Sequence, residues 1–476
     1  MSQKVLILGA GLVARPIVKH LLSKGYSLTV ASNTPDRAEL MIARHPSGKA
    51  VYWEATDETM LDELISLHDL TVSLLPYTFH VMVARHCIVH KKNMVTTSYV
   101  KPEMRELDAK AREAGILILN EIGLDPGIDH MSAMRIIDHI HANEGAVMEF
   151  YSICGALPAP EAADNPFKYK FSWSPKGVVM AGNNDALYLR RGKIINVPTR
   201  ELFSDPFTVD FPGTGQLEVY PNRDSLTYRD IYGIPEAQTV FRGTFRFRGW
   251  CETMNIIKQL GLISYEKFDM SGMSYAGMVN SQLKKINNRI APGDAGMNTQ
   301  VKSTTVADNN GLLITNEKEK LRHEISIALG ISADSHALDA LEWLGLFEDK
   351  PMNRNTDSTF EVVSDLMITK MGLGDNERDM VVMQHTFLAA YSDGRKEVIR
   401  SRMLDFGSPA TDTSIARTVA LPAAIGVEMI LKGEIREKGV HIPVIPSIYG
   451  PVLNALEALG IKMTEEFGLP VSENIS

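Results

Sequence analysis

Three small residues follow the first apolar run of the chain at a spacing typical of dinucleotide binding. The run covers 5–8, and Gly9, Gly11 and Ala14 come after it in the pattern G-x-G-x-x-A. Such a pattern forms a tight turn, lets the backbone approach a pyrophosphate and packs a helix against the strand. We therefore predict a phosphate-binding turn followed by a helix over 12–24, the alternative being a strand–turn–helix without a ligand.

The residues after the second apolar run indicate which dinucleotide is bound. An NAD site usually has a carboxylate at the end of this strand, where it binds the ribose 2'-hydroxyl. Here the strand ends in Ser32, Asn33 and Thr34, with Arg37 one turn later. These groups suit a 2'-phosphate, which a carboxylate would repel. We predict NADP, with NAD as the alternative if Asp36 binds the ribose and Arg37 is only a solvated charge.

An acidic segment that contains a histidine, residues 121–130, follows a later strand. It includes Asp125 directly before Pro126. A carboxylate at the rim of a dinucleotide site is suited to act as a general base or to bind an ammonium group. The alternative is structural, with Asp125 as a helix N-cap and the proline at the first helical position. Both interpretations stay open at this point.

Arginines recur in the second half of the chain. Arg223 lies in a turn, and strand alternation puts Arg242, Arg246 and Arg248 on one face together with Thr244. Guanidinium groups bind carboxylates through paired hydrogen bonds, so this face favours an anionic substrate. The alternative is an edge strand that is protected by its charges.

The histidines and cysteines do not indicate a metal site. The histidines at 80, 86 and 90 include one pair a helical turn apart, His86 and His90, but no carboxylate or cysteine joins them at a usable sequence spacing. We therefore predict that His80, His86 and His90 lie on a solvated helix. Three cysteines lie far apart, at positions 87, 154 and 251. This spacing excludes a disulfide framework and a cysteine zinc site, and it indicates a reducing compartment. We predict that the protein binds no metal.

The composition excludes several classes of function. The formal net charge is −9 and the pI is near 5.9, whereas binding to nucleic acid needs clustered basic residues in excess. We find no leader before the first strand and no apolar stretch long enough to span a bilayer. A soluble cytoplasmic protein without nucleic-acid or membrane partners is therefore expected.

The elements that position these residues follow from apolar periodicity. Strand candidates alternate with helical patterns in the first part of the chain, which predicts an α/β fold with a Rossmann-like doubly wound parallel sheet. The candidates are 4–8, 28–31, 50–53, 70–75, 93–97 and 116–120. The carboxyl ends of such strands meet at one edge, which brings Leu75, Thr97 and Asp125 beside the glycine turn.

The pattern changes after residue 146, where short strand candidates alternate with turns rich in proline and glycine. They predict a second, mixed α/β substrate domain, which a hairpin around 392–394 completes. Helices over 413–432 and 449–459 are expected to pack on the first sheet. The predicted domains are 1–125 with 407–476 for the dinucleotide, 126–251 with 373–406 for the substrate, and an all-helical domain over 252–372.

Six segments together resemble the glutamate-forming saccharopine dehydrogenases, also called saccharopine reductases, over nearly the whole chain. The segments are 9–14, 75–80, 97–99, 123–130, 220–224 and 242–244. The resemblance implies NADP-linked interconversion of saccharopine with L-glutamate and 2-aminoadipate 6-semialdehyde in lysine metabolism. It implies substrate contacts from Ser98, Tyr99, Asp125, Cys154, Arg223, Thr244, Phe245 and Arg246. The implied cofactor contacts are Leu12, Val13, Ala14, Ser32, Asn33, Thr34, Ala55, Leu75, Thr97, Leu124 and Ser174.

One departure from the family pattern concerns the cofactor. NADP-preferring members often carry an arginine directly after the second strand, and this chain has none before Arg37.

The resemblance also suggests how the reaction proceeds. Hydride leaves the carbon next to a neutral secondary amine, and the resulting imine takes up water. Asp125 and Tyr99 are the candidate proton-transfer groups, unless charge and positioning supply most of the rate. Two other functions stay open, which are reductive coupling of the semialdehyde to a polyamine, as in carboxynorspermidine-type relatives, and NADP sensing without catalysis. A homodimer is the predicted assembly.

Overall fold

The structure is a computed structural model that describes residues 2–290, 316–409 and 411–475. Its strands, in chain order, are β1 (Lys4–Leu8), β2 (Ser27–Ser32), β3 (Gly48–Tyr52), β4 (Leu70–Ser73), β5 (Asn93–Thr96), β6 (Leu117–Leu119), β7 (Gly145–Pro158), β8 (Ala186–Arg190), β9 (Lys193–Val197), β10 (Phe207–Phe211), β11 (Gly215–Pro221), β12 (Thr239–Phe247), β13 (Lys267–Asp269), β14 (Thr356–Ser358), β15 (Asp379–Tyr391), β16 (Lys396–Phe406), β17 (Gly439–His441) and β18 (Thr464–Leu469). Its α-helices are α1 (Arg15–Ser23), α2 (Pro35–Ile42), α3 (Glu58–Ser66), α4 (His80–Val89), α5 (Pro102–Arg105), α6 (Asp108–Glu113), α7 (Ile128–Ala142), α8 (Pro175–Ala181), α9 (Thr227–Ile231), α10 (Trp250–Gln259), α11 (Tyr275–Ile290), α12 (Glu317–Leu329), α13 (His336–Leu344), α14 (Thr359–Lys370), α15 (Ser414–Leu431) and α16 (Pro446–Ala458).

The first sheet is parallel throughout and has seven strands in the order β3-β2-β1-β4-β5-β6-β17. Its interior strand β1 is buried on both faces, which explains why it is a continuous apolar run in the sequence. The strand order reverses between β1 and β4, the place where such sheets bind nucleotides. The predicted Rossmann-like fold is confirmed, and β17 is an additional strand that the sequence analysis missed.

The glycine turn lies at this reversal point. Gly9 has a φ of +104°, and a Cβ added to it would lie 3.0 Å from the carbonyl oxygen of Leu74 after β4. Only glycine fits this close approach without strain. The N–H of Ala14 donates to the carbonyl of Gly11, so a separate turn precedes the helix. Helix α1 therefore covers Arg15–Ser23, which corrects the predicted helix over 12–24.

The second sheet has the order β10-β11-β12-β7-β15-β16-β18, and β8 with β9 attaches to β12. Strands β12 and β7 are parallel, and the other pairs are antiparallel. The predicted hairpin is present as β15 and β16. Strand β12, which carries the arginine face, is interior, so its interpretation as an edge strand is wrong. Strand β18 joins this sheet, although the sequence predicts that 407–476 belongs with the first one.

The segment 252–372, for which the sequence predicts helices alone, contains most of α10 and all of α11 to α14. Residues 291–315 of it lie outside the described part of the chain. The described part also contains a two-stranded antiparallel sheet of β13 and β14, so the all-helical prediction is wrong. These helices share one apolar core with the second sheet, in which Trp250 is 2% exposed.

Helix α15 connects the two sheets. Its first N–H groups, from Ser414 and Ile415, donate to the carboxylate of Asp379 in β15 at 2.6 and 3.0 Å. It has 18 residues with a mean hydropathy of 1.5, so by length and composition it is suited to cross a bilayer, which contradicts the prediction that no stretch is long enough. Because 78% of it is buried inside the protein, it forms part of the core.

Candidate functional site

A phenol and a carboxylate meet where the segments after β5 and β6 lie side by side. The hydroxyl of Tyr99 donates to Oδ1 of Asp125 at 2.9 Å. Helix α7 begins only at Ile128, and its N-cap residue is Gly127, whose N–H donates to Asp129 at 2.6 Å. Asp125 is therefore not the N-cap, and the structural interpretation of this residue is wrong. The position of the carboxylate at the rim supports the functional one.

Arg242 of β12 holds this pair in place. It is 3% exposed, and its Nη2 donates to Oδ1 of Asp125, to the Tyr99 hydroxyl at 3.1 Å and to Oδ2 of Asp129 at 3.2 Å. Its Nη1 donates to the Tyr228 hydroxyl at 2.7 Å. Among the described residues, no side chain hydrogen-bonds to Oδ2 of Asp125. That oxygen is left to accept a proton or a hydrogen bond from a ligand.

Tyr99 is suited to donate a hydrogen bond rather than to act as a base. Burial raises the pKa of its phenol well above the usual value of 10.0, although the nearby Arg242 opposes this shift. The phenol therefore stays protonated at neutral pH. Arg223, an exposed residue in the turn after β11, lies over the Tyr99 ring at 5.8 Å from the ring centroid. An exposed guanidinium therefore lies next to the phenol, and its contact with a substrate carboxylate stays a prediction.

Arg246 is a buried cation without an anion. It is 4% exposed and lies over the rings of Tyr169, Trp250 and Tyr220, at 4.9, 5.3 and 5.9 Å. Its Nη1 donates to the carbonyl of Phe245 at 2.8 Å, whereas its Nε has no hydrogen-bond partner in the described ranges. No carboxylate of the described residues forms an ion pair with it. Burial of a guanidinium without a counter-ion destabilises the folded protein by about several kcal/mol. Such a cost favours a compensating role for Arg246, such as anion binding.

The neighbours of Arg246 only partly match the predicted substrate contacts. Thr244 is on the same strand face and is in register with Cys154 of β7. Burial raises the pKa of the Cys154 thiol well above its usual value, so this side chain is a neutral thiol. Phe245 points to the opposite face, where it is fully buried against Phe211. Its backbone carbonyl, rather than its ring, is on the Arg246 side.

Ser98 is oriented by a histidine that the sequence analysis treated as part of a solvated helix. Nε2 of His80 lies 2.8 Å from the Ser98 hydroxyl, and its Nδ1 lies 2.9 Å from the Ser73 hydroxyl. His80 is 4% exposed, so its interpretation as solvated is wrong. Burial lowers its pKa to about 4, which keeps the ring neutral. A neutral imidazole between two hydroxyls fixes the direction of the Ser98 hydrogen bond.

The buried imidazole predicts a loss of stability in acid. Above pH 6.5, the ordinary value, His80 is neutral in both the folded and the unfolded chain and has no effect. As the pH falls from 6.5 towards 4, only the unfolded chain binds the proton, so the free energy of unfolding decreases by about 3 kcal/mol. Urea unfolding of the wild type and of His80→Gln across this range measures the effect. Between pH 6.5 and 4 the free energy of unfolding is expected to decrease less in His80→Gln than in the wild type. An equal decrease in both proteins would contradict the neutral, buried state of His80.

Glu121 fixes the backbone on both sides of Tyr99. Its N–H donates to the carbonyl of Ser98 at 3.2 Å, and its Oε1 accepts from the N–H of Val100 at 2.8 Å. Its Oε2 lies 2.7 Å from Nε2 of the buried His130. Glu121 and His130 both lie in the acidic segment 121–130, but the sequence alone indicates no role for them. Their position after a strand of the first sheet is the only sequence feature that points to the site. Nothing in the sequence indicates the positive φ of Glu121, +57°.

Most of the predicted cofactor contacts follow strands of the first sheet at one edge. Gly11, Leu12 and Arg37 line a cavity of about 270 Å³, and a Cβ at Gly11 would meet no atom within 4 Å. This open backbone fits a bound pyrophosphate. The hydroxyls of Ser32 and Thr34 lie 3.0 Å apart at the end of β2. Other predicted contacts follow strands or begin a helix, namely Val13 and Ala14 after β1, Asn33 after β2, Ala55 after β3, Leu75 after β4, Thr97 after β5, Leu124 after β6 and Ser174 as the N-cap of α8.

A carboxylate does join the two helix histidines in space, contrary to expectation. Nδ1 of His86 and Nε2 of His90 lie 2.9 and 2.8 Å from Oδ1 of Asp62 in the neighbouring helix α3. These hydrogen bonds lower the pKa of Asp62. Within the described ranges, no group of three or more His, Cys, Asp or Glu side chains is arranged to hold a metal ion. All three cysteines are buried and free of disulfides.

The fold and the site define the class of the protein, a dinucleotide-dependent oxidoreductase whose second sheet carries buried arginines beside a carboxylate and a phenol. Two family models identify which one. The model of the saccharopine dehydrogenase NADP binding domain matches residues 5–119, and that of the saccharopine dehydrogenase C-terminal domain matches 123–461. The chain belongs to the saccharopine dehydrogenase family. The predicted family and the predicted NADP cofactor are thereby confirmed.

Individual relatives agree with this assignment. The chain is 35% identical over 473 residues to the NADP(+), L-glutamate-forming saccharopine dehydrogenase of Pyricularia oryzae, covering 98% of this chain and 99% of that one. It is 36% identical over 468 residues to the mitochondrial alpha-aminoadipic semialdehyde synthase of Bos taurus, and it spans 48% of that longer protein. The solved apo saccharopine dehydrogenase (L-Glu forming) from Saccharomyces cerevisiae has a TM-score of 0.84 and 34% identity, covering 98% of this chain and 100% of that chain.

Proposed function

We propose that this protein interconverts saccharopine with L-glutamate and 2-aminoadipate 6-semialdehyde by NADP-linked hydride transfer. The observation that carries the proposal is Arg246, a buried guanidinium without an ion-pair partner among the described residues. Saccharopine has three carboxylates and a secondary amine. Arg246 and Arg223 supply two cations for the carboxylates, and Oδ2 of Asp125 supplies an acceptor for the amine.

When bound, NADP accepts the hydride from the carbon next to the amine. In this proposal Asp125 accepts the amine proton at Oδ2, since its other oxygen is held by Arg242 and Tyr99. Tyr99 stays protonated and keeps the carboxylate oriented. Ser98, whose hydroxyl is directed by His80, donates to the substrate. Water then adds to the imine carbon to form a carbinolamine, and Asp125 returns its proton to the nitrogen. The C–N bond breaks to release L-glutamate and 2-aminoadipate 6-semialdehyde, and one proton passes to solvent.

The assay that tests this function measures saccharopine-dependent reduction of NADP and of NAD by the full-length protein. Turnover with NADP is the expected result. Cofactor binding without turnover would instead favour the non-catalytic NADP sensor. The cytoplasmic location and the homodimer also belong to this proposal, and size-exclusion chromatography with light scattering tests the latter.

Substitution of Arg223 distinguishes the reaction from reductive coupling to a polyamine. Arg223→Gln is expected to raise the KM for glutamate about tenfold or more in the reductive direction, because one charge-assisted hydrogen bond to a carboxylate is lost. A diamine co-substrate, which has no carboxylate, should not replace glutamate in either form. Steady-state kinetics with glutamate and with a diamine measure this. Arg200→Gln, whose side chain is 82% exposed, is the matched control.

A wild-type protein that turns over the diamine but not glutamate would overturn the proposed substrate. Equal KM values for glutamate in the wild type and Arg223→Gln would remove Arg223 from the site while leaving the reaction in place.

A further inference from the structure

Charged side chains from three separate elements line the cavity beside the glycine turn. Arg15 is the first residue of α1, Arg37 lies in the first turns of α2, and Asp412 precedes α15. The cavity has a volume of about 270 Å³, and Gly11 forms part of its wall. Two guanidinium groups and one carboxylate therefore face the same space, next to the backbone that receives the dinucleotide.

The place of α2 indicates which phosphate of the dinucleotide this cavity receives. In this fold the end of β2, directly before α2, contacts the ribose of the adenosine half, whereas the pyrophosphate lies over the glycine turn. Arg37 is exposed and forms no ion pair with any described residue. Asp36, the acid that would bind a free ribose hydroxyl, is exposed and does not line the cavity. The side of the cavity formed by α2 is thus cationic.

Arg15 is the second cation, and it already has an anionic partner. Its Nε donates to Oδ1 of Asp412 at 2.6 Å, and Nζ of Lys19 lies 3.4 Å from the other carboxylate oxygen. Its Nη2 is buried and has no hydrogen-bond partner in the part of the chain that the structure describes. A phosphate monoester carries nearly two negative charges and three acceptor oxygens, so it competes well with a single carboxylate for a guanidinium.

We infer that Arg15 and Arg37 together bind the 2'-phosphate of NADP, and that Asp412 competes with this phosphate for Arg15. The inference rests on the NADP cofactor of the proposed function, and it adds Arg15 and Asp412 to Arg37, for which the sequence already predicts contact with the 2'-phosphate. It makes the ion pair between Arg15 and Asp412 part of cofactor selection, because a carboxylate in the cavity weakens binding of any anion there.

Binding of cofactor fragments to the full-length protein, measured by isothermal titration calorimetry, tests the inference. The probes are adenosine 2',5'-bisphosphate, adenosine 5'-monophosphate and adenosine 5'-diphosphate. Arg15→Gln and Arg37→Gln are each expected to lower the affinity for the 2',5'-bisphosphate about tenfold and to leave the other two unchanged. Asp412→Asn should raise the affinity for the 2',5'-bisphosphate severalfold. Arg85→Gln, an exposed arginine of α4, is the control and should bind all three as the wild type does.

Equal losses for all three probes would place the arginines at the 5'-phosphate and overturn the assignment, and so would unchanged binding of the 2',5'-bisphosphate. Lower affinity in Asp412→Asn would overturn the competition. Arg37 is exposed, so its substitution leaves the fold intact even if that of Arg15 does not. No saccharopine is present in these measurements, so a failure of the proposed reaction would leave their result unaffected.

Discussion

Replacement of Arg246 by methionine is expected to lower kcat/KM for saccharopine ~100-fold, because a buried guanidinium bound to a carboxylate contributes several kcal/mol. The same replacement should leave the melting temperature unchanged or raise it. Arg246 has no ion-pair partner among the described residues, so its removal eliminates a desolvated charge. The contacts with three aromatic rings are only partly lost, since a methionine sulfur interacts favourably with such rings.

Steady-state kinetics and thermal unfolding of the same samples check both halves of this expectation. Arg248→Met is the matched control, because Arg248 follows β12 on the same side and is exposed. That variant should keep both activity and stability. A melting temperature of Arg246→Met several degrees below that of the wild type would show that Arg246 has a mainly structural role. An unchanged kcat/KM would show that Arg246 does not contact the substrate.

Replacement of Arg242 by methionine is expected to have the opposite effect on stability, a loss of about 3–5 kcal/mol. Arg242 is paired with Asp125 and Asp129, whose side chains are 17% and 1% exposed. Without the guanidinium, these carboxylates remain inside the protein without a counter-charge. Activity should also fall, because Tyr99 and Asp125 lose the group that holds them together.

Urea unfolding measures the stability change, and a second substitution identifies its cause. Adding Asp129→Asn to Arg242→Met removes the more buried of the two uncompensated charges, so it should recover part of the lost free energy. A double variant no more stable than Arg242→Met alone would mean that lost packing, rather than the unpaired carboxylate, explains the effect.

Arg242 and Arg246 show which features of the site can be predicted from the sequence and which cannot. Strand alternation correctly puts Arg242 and Arg246 on one face of β12. Strand alternation does not show that Arg242 is paired with carboxylates and Arg246 is not. The partner Asp125 of Arg242 is more than a hundred positions away in the sequence. The choice between an edge and an interior strand also depends on pairing with β7 and β11, which no local pattern encodes.

The first sheet was largely predictable because each buried parallel strand appears as a short continuous apolar run, as in 5–8. The strands that were missed have only three to seven residues and include β13, β14 and β17. At the site, Tyr99 and Asp125 could be placed by their positions after strands. The supporting roles of His80 and Glu121 could not, because they depend on contacts between side chains of different segments.

Strand β17 also bears on how the chain is assembled as it is synthesised. The first six strands of the nucleotide sheet leave the ribosome early, but β17 at residues 439–441 follows almost all of the second sheet. Until then β6 is an open edge, able to pair with foreign strands. Asp412, which lines the cofactor cavity, is also made late. The nucleotide sheet therefore gains its last strand only after most of the second sheet has been synthesised.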